Sequence, residues 1–333
     1  MIYSGASKIE SLYLGSTNIG AAYLGSVKVY SSTPVDPYNP LGLPPFTMRV
    51  EFYGPDAELD PSALNMVLGT WTQVSGSVWD WTYQDTNWDL AMSYSFNNTR
   101  RNICQTYRFN VLGANTTGVT DMDRLFSKGK YIQSLPLFDT SSVTTMDNFI
   151  QNTKNSNSVL TTLPKFDTSK VTNFTSMCEG NVNLINVPKF DISSATTLTR
   201  MFYQCTGLQT VPLFDLPSTA TSTDFMFCQC ASLQTAPLFD LSSVTVASNM
   251  FTGCTSLRTV PLFDTSSMTK VDGMFNGCTN VESGALTLYQ QMSTQANPPT
   301  RVTNCFKNCG SGSTAGAAEL AEIPASWGGT GEG

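Results

Sequence analysis

One sequence unit recurs through most of this chain of 333 residues at a nearly constant spacing. Its clearest copy runs from Leu257 to Cys278 and contains the core Pro-x-Phe-Asp. The prolines that begin this core are spaced 28, 24, 24, 25 and 24 residues apart, and they are Pro136, Pro164, Pro188, Pro212, Pro237 and Pro261. Self-similarity at such a period is typical of a solenoid, in which each unit packs only against its neighbours. The repeat therefore constrains the fold more than any local motif.

The repeat consensus predicts a strand, a turn and a short helix in each unit. The segment Leu-x-x-[Leu/Val]-Pro is typical of a short strand that its proline ends, since proline cannot donate to a strand ladder. The following Asp-Thr-Ser supplies oxygens that accept backbone N–H bonds in turns and caps. Val143, Met146 and Phe149 then follow at intervals of three residues, which predicts a short helix with one buried face. Gly253 and Gly277 are placed to end that helix.

These elements predict an α/β repeat fold, a leucine-rich-repeat-type solenoid of about eight coils of ~24 residues, with an N-terminal β-rich anchor and a small α/β cap. No single unit has a core of its own, so the units must stack. The predicted segments are an N-terminal β-repeat anchor (1–30), a Pro-rich linker (31–45), a capping domain (46–110), the solenoid (111–310) and a C-terminal cap or tail (311–333).

The first thirty residues carry a second repeat, ten residues long. We single out as anchor residues Tyr3, Tyr13, Leu14, Gly15, Tyr23, Leu24 and Gly25. Short apolar runs separated by Gly-Ser turns predict β-strands. A segment of fewer than about 40 residues seldom buries enough surface to fold alone, so this one is predicted to dock. It is either an ordinary β-meander packed on its own domain or an intermolecular anchor.

Four of the five tryptophans cluster in the capping domain, at positions 71, 79, 81 and 88. Beside Tyr83, Asp80, Asp85 and Asp89 they could form a platform on which sugars stack. A carbohydrate-active enzyme would need two catalytic carboxylates about 5 to 10 Å apart. We prefer the interpretation that these tryptophans supply bulk to the apolar end cap that a solenoid needs.

Three sets of recurring residues are predicted to be structural. The repeat core comprises Phe138, Phe166, Phe190, Phe214, Phe239, Phe263, Cys205, Cys230, Cys254 and Cys278, and the repeat caps are Asp139, Asp167, Asp191, Asp215, Asp240 and Asp264. Disulfides between coils, metal binding at Cys228-x-Cys230 or Cys305-x-x-x-Cys309, and a calcium ladder on the aspartates are the alternatives. Buried thiols and turn capping explain the same residues more simply.

Composition excludes several classes of function. The chain has no histidine, which removes Ser-His and Cys-His nucleophile pairs and most zinc sites. A net charge of -7 without a basic run argues against nucleic-acid binding. The absence of an apolar stretch of about 18 residues argues against membrane insertion, and Met1-Ile2-Tyr3-Ser4-Gly5 is not typical of a cleavable secretory signal. We expect no enzymatic activity and no cofactor or metal ion.

Positions at which the copies disagree are the ones predicted to bind a partner, because a solenoid presents them on its faces. They are Lys165, Lys189, Tyr203, Gln209, Gln234, Arg258, Lys270 and Asn276.

The repeats resemble the BspA-like leucine-rich repeats of bacterial and protozoan surface proteins. The resemblance covers about 200 residues and rests on Phe-Asp-Thr-Ser-x-Val-Thr followed by Met-Phe-x-x-Cys-x-x-Leu. The chain departs from it at Phe149-Ile150, at Met177-Cys178, and at Asn181, where cysteine is expected. The resemblance implies a right-handed leucine-rich-repeat rod with an adhesive or partner-binding role, and it implies no catalytic residue.

The N-terminal Tyr-Leu-Gly-Ser repeats, with Val78 to Tyr83 and Leu112 to Thr117, resemble the leaders of predicted virion proteins of gut bacteriophages. This resemblance implies a non-enzymatic phage virion structural protein, in which residues 1–30 bind other virion proteins and the solenoid binds a host-surface protein or glycan. Self-association into a homo-oligomer is compatible with it. The first alternative is a BspA-like adhesin on a bacterial cell surface, and the second is the carbohydrate-active enzyme.

Overall fold

The structure is a computed structural model that describes residues 36–60, 69–86, 88, 104, 107–152 and 158–332, together with the backbone of four short strands before residue 31. These strands form two antiparallel hairpins. Strand β1 (Tyr13–Leu14) pairs with β2 (Thr17–Asn18), and β3 (Ala22–Leu24) pairs with β4 (Val27–Tyr30). Of the predicted anchor residues, Tyr3, Gly15 and Gly25 lie outside the described residues.

A four-stranded antiparallel sheet leads into the repeats. Its strands are β5 (Thr47–Phe52), β6 (Thr70–Ser75), β7 (Val78–Thr82) and β8 (Phe109–Asn115), in the order β6-β7-β5-β8. A 3-10 turn, Gly54–Asp56, follows β5. Strand β8 pairs with the whole of β5, so the sheet continues past the segment boundary predicted at residue 110. The chain passes directly from β8 into the first repeat.

Each repeat contributes a run of consecutive turns that is hydrogen-bonded to the next repeat. In residues 247–254, the N–H groups of positions 250, 252 and 254 donate to carbonyls three residues earlier. Those of positions 247, 249, 251 and 253 donate to residues 270, 272, 274 and 276 of the following repeat. The same alternation recurs around Phe126, Ile150, Cys178, Phe202, Phe227, Phe251 and Phe275. The repeats are therefore stacked.

The short helix predicted in each unit is wrong, and so is the helix-ending role of Gly253 and Gly277. Within the described part of residues 107–283, the units contain turns instead. In most units the backbone enters the left-handed region twice, four residues apart, as at Asn249 (φ 58°) and Gly253 (φ 72°). Positive φ belongs to the third position of a type II turn and is incompatible with a right-handed helix. Consecutive turns repeat the three-to-four-residue spacing of apolar side chains that also marks a helix.

The strand predicted at Leu-x-x-Val-Pro is reduced to single parallel contacts. Isolated parallel bridges join residues one unit apart, and most lie after the Val-Thr motif, for example between Val246 and Lys270. Beside them, the N–H and the hydroxyl of Thr269 both donate to the carbonyl of Thr245. Proline on one side and turns on the other leave too few extended residues for a strand, since a strand needs several.

Two helices and a 3-10 turn follow the last complete unit. Helix α1 (Ala285–Thr294) occupies the insertion in the repeat, and helix α2 (Thr314–Glu322) begins at Ser313, whose side chain accepts from the Gly316 N–H. The 3-10 turn Ala325–Trp327 places the Trp327 ring on Phe306, with centroids 6.5 Å apart. This indole closes the apolar end of the stack.

Candidate binding surface

The recurring phenylalanines lie inside the stack. Phe138, Phe166, Phe190, Phe214, Phe239 and Phe263 are each at most 2% exposed. A neighbouring ring column runs through Phe202, Phe227, Phe251, Phe275 and Phe306, with centroids 5.3 to 5.9 Å apart and planes within 12° of parallel. Stacked rings in this range attract one another beyond the area that they bury.

The recurring cysteines are free thiols on the inside of the turns. Cys205, Cys230, Cys254 and Cys278 are fully buried, and each S–H donates to a backbone carbonyl of the preceding unit at 3.1 or 3.2 Å. Burial raises the pKa of the Cys205 thiol to about 12 and raises that of the other three well above the usual range. These groups are protonated and unreactive at neutral pH.

Asn181 takes the place of a cysteine and holds a buried polar cluster. Its side-chain nitrogen donates to the carbonyls of Ile150 and Cys178, both at 2.9 Å. Its oxygen accepts from the Asn152 amide and the Ser158 hydroxyl, both at 2.8 Å. All four hydrogen-bonding sites of the Asn181 amide are therefore used.

Most of the recurring aspartates accept hydrogen bonds in turns. Asp139, Asp167, Asp191, Asp240 and Asp264 each accept from the N–H of the serine two residues later, at 2.9 to 3.0 Å. Hydrogen bonds from those serines lower the pKa of Asp191, Asp240 and Asp264. Asp215 differs, because Leu216 and Pro217 follow it, and it pairs with Lys189 at 2.6 Å.

An open groove of about 620 Å³ lies beside these turns in the first half of the stack. Lys165 and Lys189, from adjacent units, face Asp167, Asp191 and Asp215 across it, and Tyr38 lines one edge. Because Lys189 pairs with Asp215 and Lys165 lies near enough to lower the pKa of Asp191, the two cations are largely balanced.

Three leucines, which we call the leucine row, project from the same position of successive units. Leu213, Leu238 and Leu262 occupy the x of Pro-x-Phe-Asp and are 49%, 61% and 53% exposed. Two residues further on stand Asp215, Asp240 and Asp264, which we call the aspartate row. Sequence reasoning missed the leucine row. The available signal was that Lys165 and Lys189 hold the same position in two other units, which indicates that it faces solvent.

The other variable residues predicted to bind are mostly exposed. Lys165, Lys189, Gln209, Gln234, Arg258 and Lys270 are exposed, whereas Tyr203 and Asn276 are half-buried. The Arg258 side chain pairs with Glu282 at 3.0 Å, and the Arg200 guanidinium lies over the Tyr203 ring at 4.8 Å from its centroid. They belong to several faces rather than to one site.

Three of the four tryptophans of the sheet region belong to its core, and the fourth, Trp71, is half-buried against it. Trp81 and Trp88 are fully buried and meet edge to face at 5.1 Å, and Trp79 is 7% exposed. Asp80 binds Arg49 through both carboxylate oxygens, at 2.7 and 2.8 Å. Rings buried in this way offer no face on which a sugar could stack. Asp89, from the same prediction, lies outside the described residues.

Among the described residues, none of the helices has the length and apolar character of a membrane span. In the same ranges, no group of three His, Cys, Asp or Glu side chains is arranged to hold a metal ion.

Stacked, mutually hydrogen-bonded turn units with a continuous apolar interior define a repeat protein whose units stabilise one another. The chain belongs to the family described as "Mycoplasma protein of unknown function, DUF285", whose model matches residues 90–213, 120–238 and 219–307 and so covers about two thirds of it. No curated protein matches the chain.

Among solved structures, the chain is similar to a leucine rich cell surface protein from Faecalibacterium prausnitzii. The two share 19% identity over 54% of this chain and 62% of that one, so the match spans less than two thirds of the solved protein. At a TM-score of 0.31, this similarity does not by itself define the fold.

Proposed function

We propose that this chain is a leucine-rich-repeat-type solenoid that acts as a non-enzymatic binding module on a bacterial cell surface. One observation carries the proposal. The recurring residues capable of chemistry are occupied within the scaffold: thiols such as Cys254 donate to carbonyls, and carboxylates such as Asp264 accept from turn N–H groups. The residues that vary between units stand exposed in rows on a regular support, as a binding surface requires.

The cell-surface location follows from the resemblance of the repeats to BspA-like surface proteins, and it takes precedence over a virion. The family description does not mention a bacteriophage, and the similar solved structure is described as a cell surface protein. In the virion interpretation, residues 1–30 bind other virion proteins and the solenoid binds a host-surface protein or glycan. It rests on the N-terminal ten-residue repeats together with Val78 to Tyr83 and Leu112 to Thr117.

Fractionation of a culture that produces the protein tests the location. Intact cells are labelled with a membrane-impermeant biotin reagent, and sedimented particles and cytosol are collected separately and probed with antibody. We expect the chain to be labelled on intact cells. Recovery in purified virus particles would favour the virion, and recovery only in unlabelled cytosol would overturn both interpretations.

Of the three functions considered, the carbohydrate-active enzyme has the least support. Its proposed platform is buried at Trp81 and Trp88, and Asp80 is held by Arg49. Incubation of the purified full chain with a panel of oligosaccharides is expected to release no reducing ends. Hydrolysis that is lost in Asp80→Asn would reverse this ranking.

A further inference from the structure

We propose that the leucine row and the aspartate row together form a docking surface for a basic amphipathic helix of a partner protein. The inference rests on the proposed function of this chain as a binding module, and it deepens that function by naming the surface and the chemistry of the partner. Four observations lead to it: the shape of the turn that carries each leucine, the residues at the same position in other units, the adjacent charge, and the spacing of the units.

The backbone directs these leucines outward. The Phe239 N–H donates to the Pro237 carbonyl at 2.9 Å, and the Phe263 N–H donates to the Pro261 carbonyl at 3.0 Å. A hydrogen bond between residues two apart is a γ-turn, which places the middle residue at its corner. The phenylalanine that follows each leucine points into the core, so Leu238 and Leu262 point to solvent.

Other units show that folding does not require leucine at this corner. The Phe166 N–H donates to the Pro164 carbonyl at 3.0 Å, which makes the same turn with Lys165 at the corner. Lys189 takes the corresponding position one unit later. The same turn thus forms with a charged residue at its corner. The three successive leucines therefore expose apolar surface that folding does not require. Contiguous exposed apolar surface of this kind marks interaction sites.

The charge beside the leucine row selects the partner. Asp240 and Asp264 lie two residues after Leu238 and Leu262, and each pair is exposed on either side of a buried phenylalanine. Hydrogen bonds from Ser242 and Ser266 hold both carboxylates in the anionic form. Lys189, which holds the corresponding position one unit before the row, is paired with Asp215. An apolar line bordered by carboxylates is complementary to apolar side chains bordered by Lys or Arg, and it repels an anionic lipid surface.

The spacing of the units favours a helix over a strand as the partner. From unit to unit, the ring centroids of Phe202, Phe227, Phe251 and Phe275 lie 5.3 to 5.5 Å apart, and one helical turn advances about 5.4 Å. Apolar residues at i, i+3 or i+4, and i+7 of a helix therefore stay within about 1 Å of three leucines that repeat at this spacing. Alternate residues of a strand are about 6.6 Å apart, so they fall out of step by about 2 Å at the third leucine.

A designed peptide tests the proposal with the full chain. The probe is a fluorescein-labelled helical peptide with leucines at i, i+3, i+4 and i+7 and lysines on the adjoining line, titrated at 0.15 M salt and read by fluorescence anisotropy. We expect saturable binding that Leu238→Ser weakens about tenfold, because one buried leucine is lost. Asp240→Asn combined with Asp264→Asn is expected to weaken binding several-fold and to flatten its salt dependence.

Matched controls keep the result interpretable. Val74→Ser removes another exposed apolar residue, 45% exposed, from strand β6 outside the row, and should leave the affinity unchanged. A peptide with glutamates in place of the lysines should not bind. Because Leu238 is 61% exposed, we expect Leu238→Ser to remain folded, which thermal unfolding checks.

Equal affinities of Leu238→Ser and the unaltered chain would overturn the docking proposal, as would equal binding of the acidic peptide or stronger binding to phosphatidylserine vesicles. Failure of this test for a chain that is labelled on intact cells rejects the docking surface alone. If the chain is absent from the cell surface, the proposed location is rejected, but the peptide-binding result is unaffected.

Discussion

The two halves of the stack pack their aromatic rings with different regularity. In the second half, around Phe202, Phe227, Phe251 and Phe275, ring planes lie within 12° of one another from unit to unit. In the first half, Phe126 and Phe149 meet at 67°. Ring columns form where one side chain recurs at one position, and the first half interrupts the column with Ile150 and Cys178.

The interruption also changes what the core is made of. The second half buries a thiol from each unit, whereas the first half buries the amide of Asn181 with Asn152 and Ser158. A thiol is a small apolar group that tolerates replacement, but a buried amide needs each of its partners. The regular half should therefore be sensitive to loss of volume, and the irregular half to loss of hydrogen bonds.

The largest expected effect is the loss of a ring from the regular column. Phe251 touches Phe227, Phe263 and Phe275 at centroid distances of 5.3 to 6.0 Å. Phe251→Ala is expected to lower the free energy of unfolding by about 3 to 5 kcal/mol, measured by urea denaturation. Phe126 meets one aromatic ring among the described residues, that of Phe149, so Phe126→Ala should lower the free energy of unfolding by about 1 kcal/mol less. Equal losses of unfolding free energy in the two variants would show that the regular ring column adds no stability.

Restoring the repeat consensus in the irregular half should be harmful. Asn181→Cys places the expected residue at its expected position, but it leaves the Ser158 hydroxyl without its acceptor and removes one of the two amide donors to the Ile150 carbonyl. We expect a loss of about 2 to 3 kcal/mol, because each buried group left unsatisfied costs about 1 to 3 kcal/mol. Urea denaturation with a constant m-value measures it. A stabilised Asn181→Cys would contradict the role assigned to the cluster.

Removal of a thiol from the regular half should lower the free energy of unfolding less than Phe251→Ala or Asn181→Cys does. Cys254→Ala deletes one sulfur atom and a weak S–H bond, so we expect about 1 kcal/mol. Because burial raises the pKa of the Cys254 thiol, Ellman's reagent should label it at pH 8 only after denaturation. Rapid labelling of the folded chain would show that the interior opens easily.

The smallest effect is the response to acid. Turn hydrogen bonds lower the pKa of Asp191, Asp240 and Asp264 below the unfolded value of about 3.9. Their contribution to stability is therefore present above that pH and is lost as the pH falls through the folded pKa. We expect a weak decline below about pH 4, because these groups are exposed and screened. Tryptophan fluorescence follows it, and Asp264→Asn, which keeps the turn acceptor, should flatten the decline.

The stacking and its period could be predicted from the sequence, because a residue such as Phe251 recurs every 24 or 25 positions. The choice of turns over helices could not be predicted from apolar spacing, which is the same for both. A partial signal was the asparagine or glycine at positions such as 249, 253, 273 and 277, since these residues tolerate positive φ. Arg124, Lys128 and Phe225 adopt the same conformation and give no such signal.

The residues of the candidate site were predictable only in part. Variable charged positions such as Lys165 and Lys189 were visible as disagreements between copies. The leucine row was hidden, because leucine in a repeat is ordinarily a core residue. The exposure of Leu238 and Leu262 depends on the γ-turn at each of them, and that turn is a property of the folded backbone.

Direct detection of hydrogen bonds between units tests the central claim, which is that the units are turns bonded to the next unit. Through-bond nitrogen-to-carbonyl couplings across hydrogen bonds can be measured by NMR on the deuterated chain. The account predicts couplings from the N–H groups of Ala247, Asn249 and Phe251 to the carbonyls of Lys270, Asp272 and Met274. Couplings from the same N–H groups to carbonyls four residues earlier would instead identify helices and contradict the account.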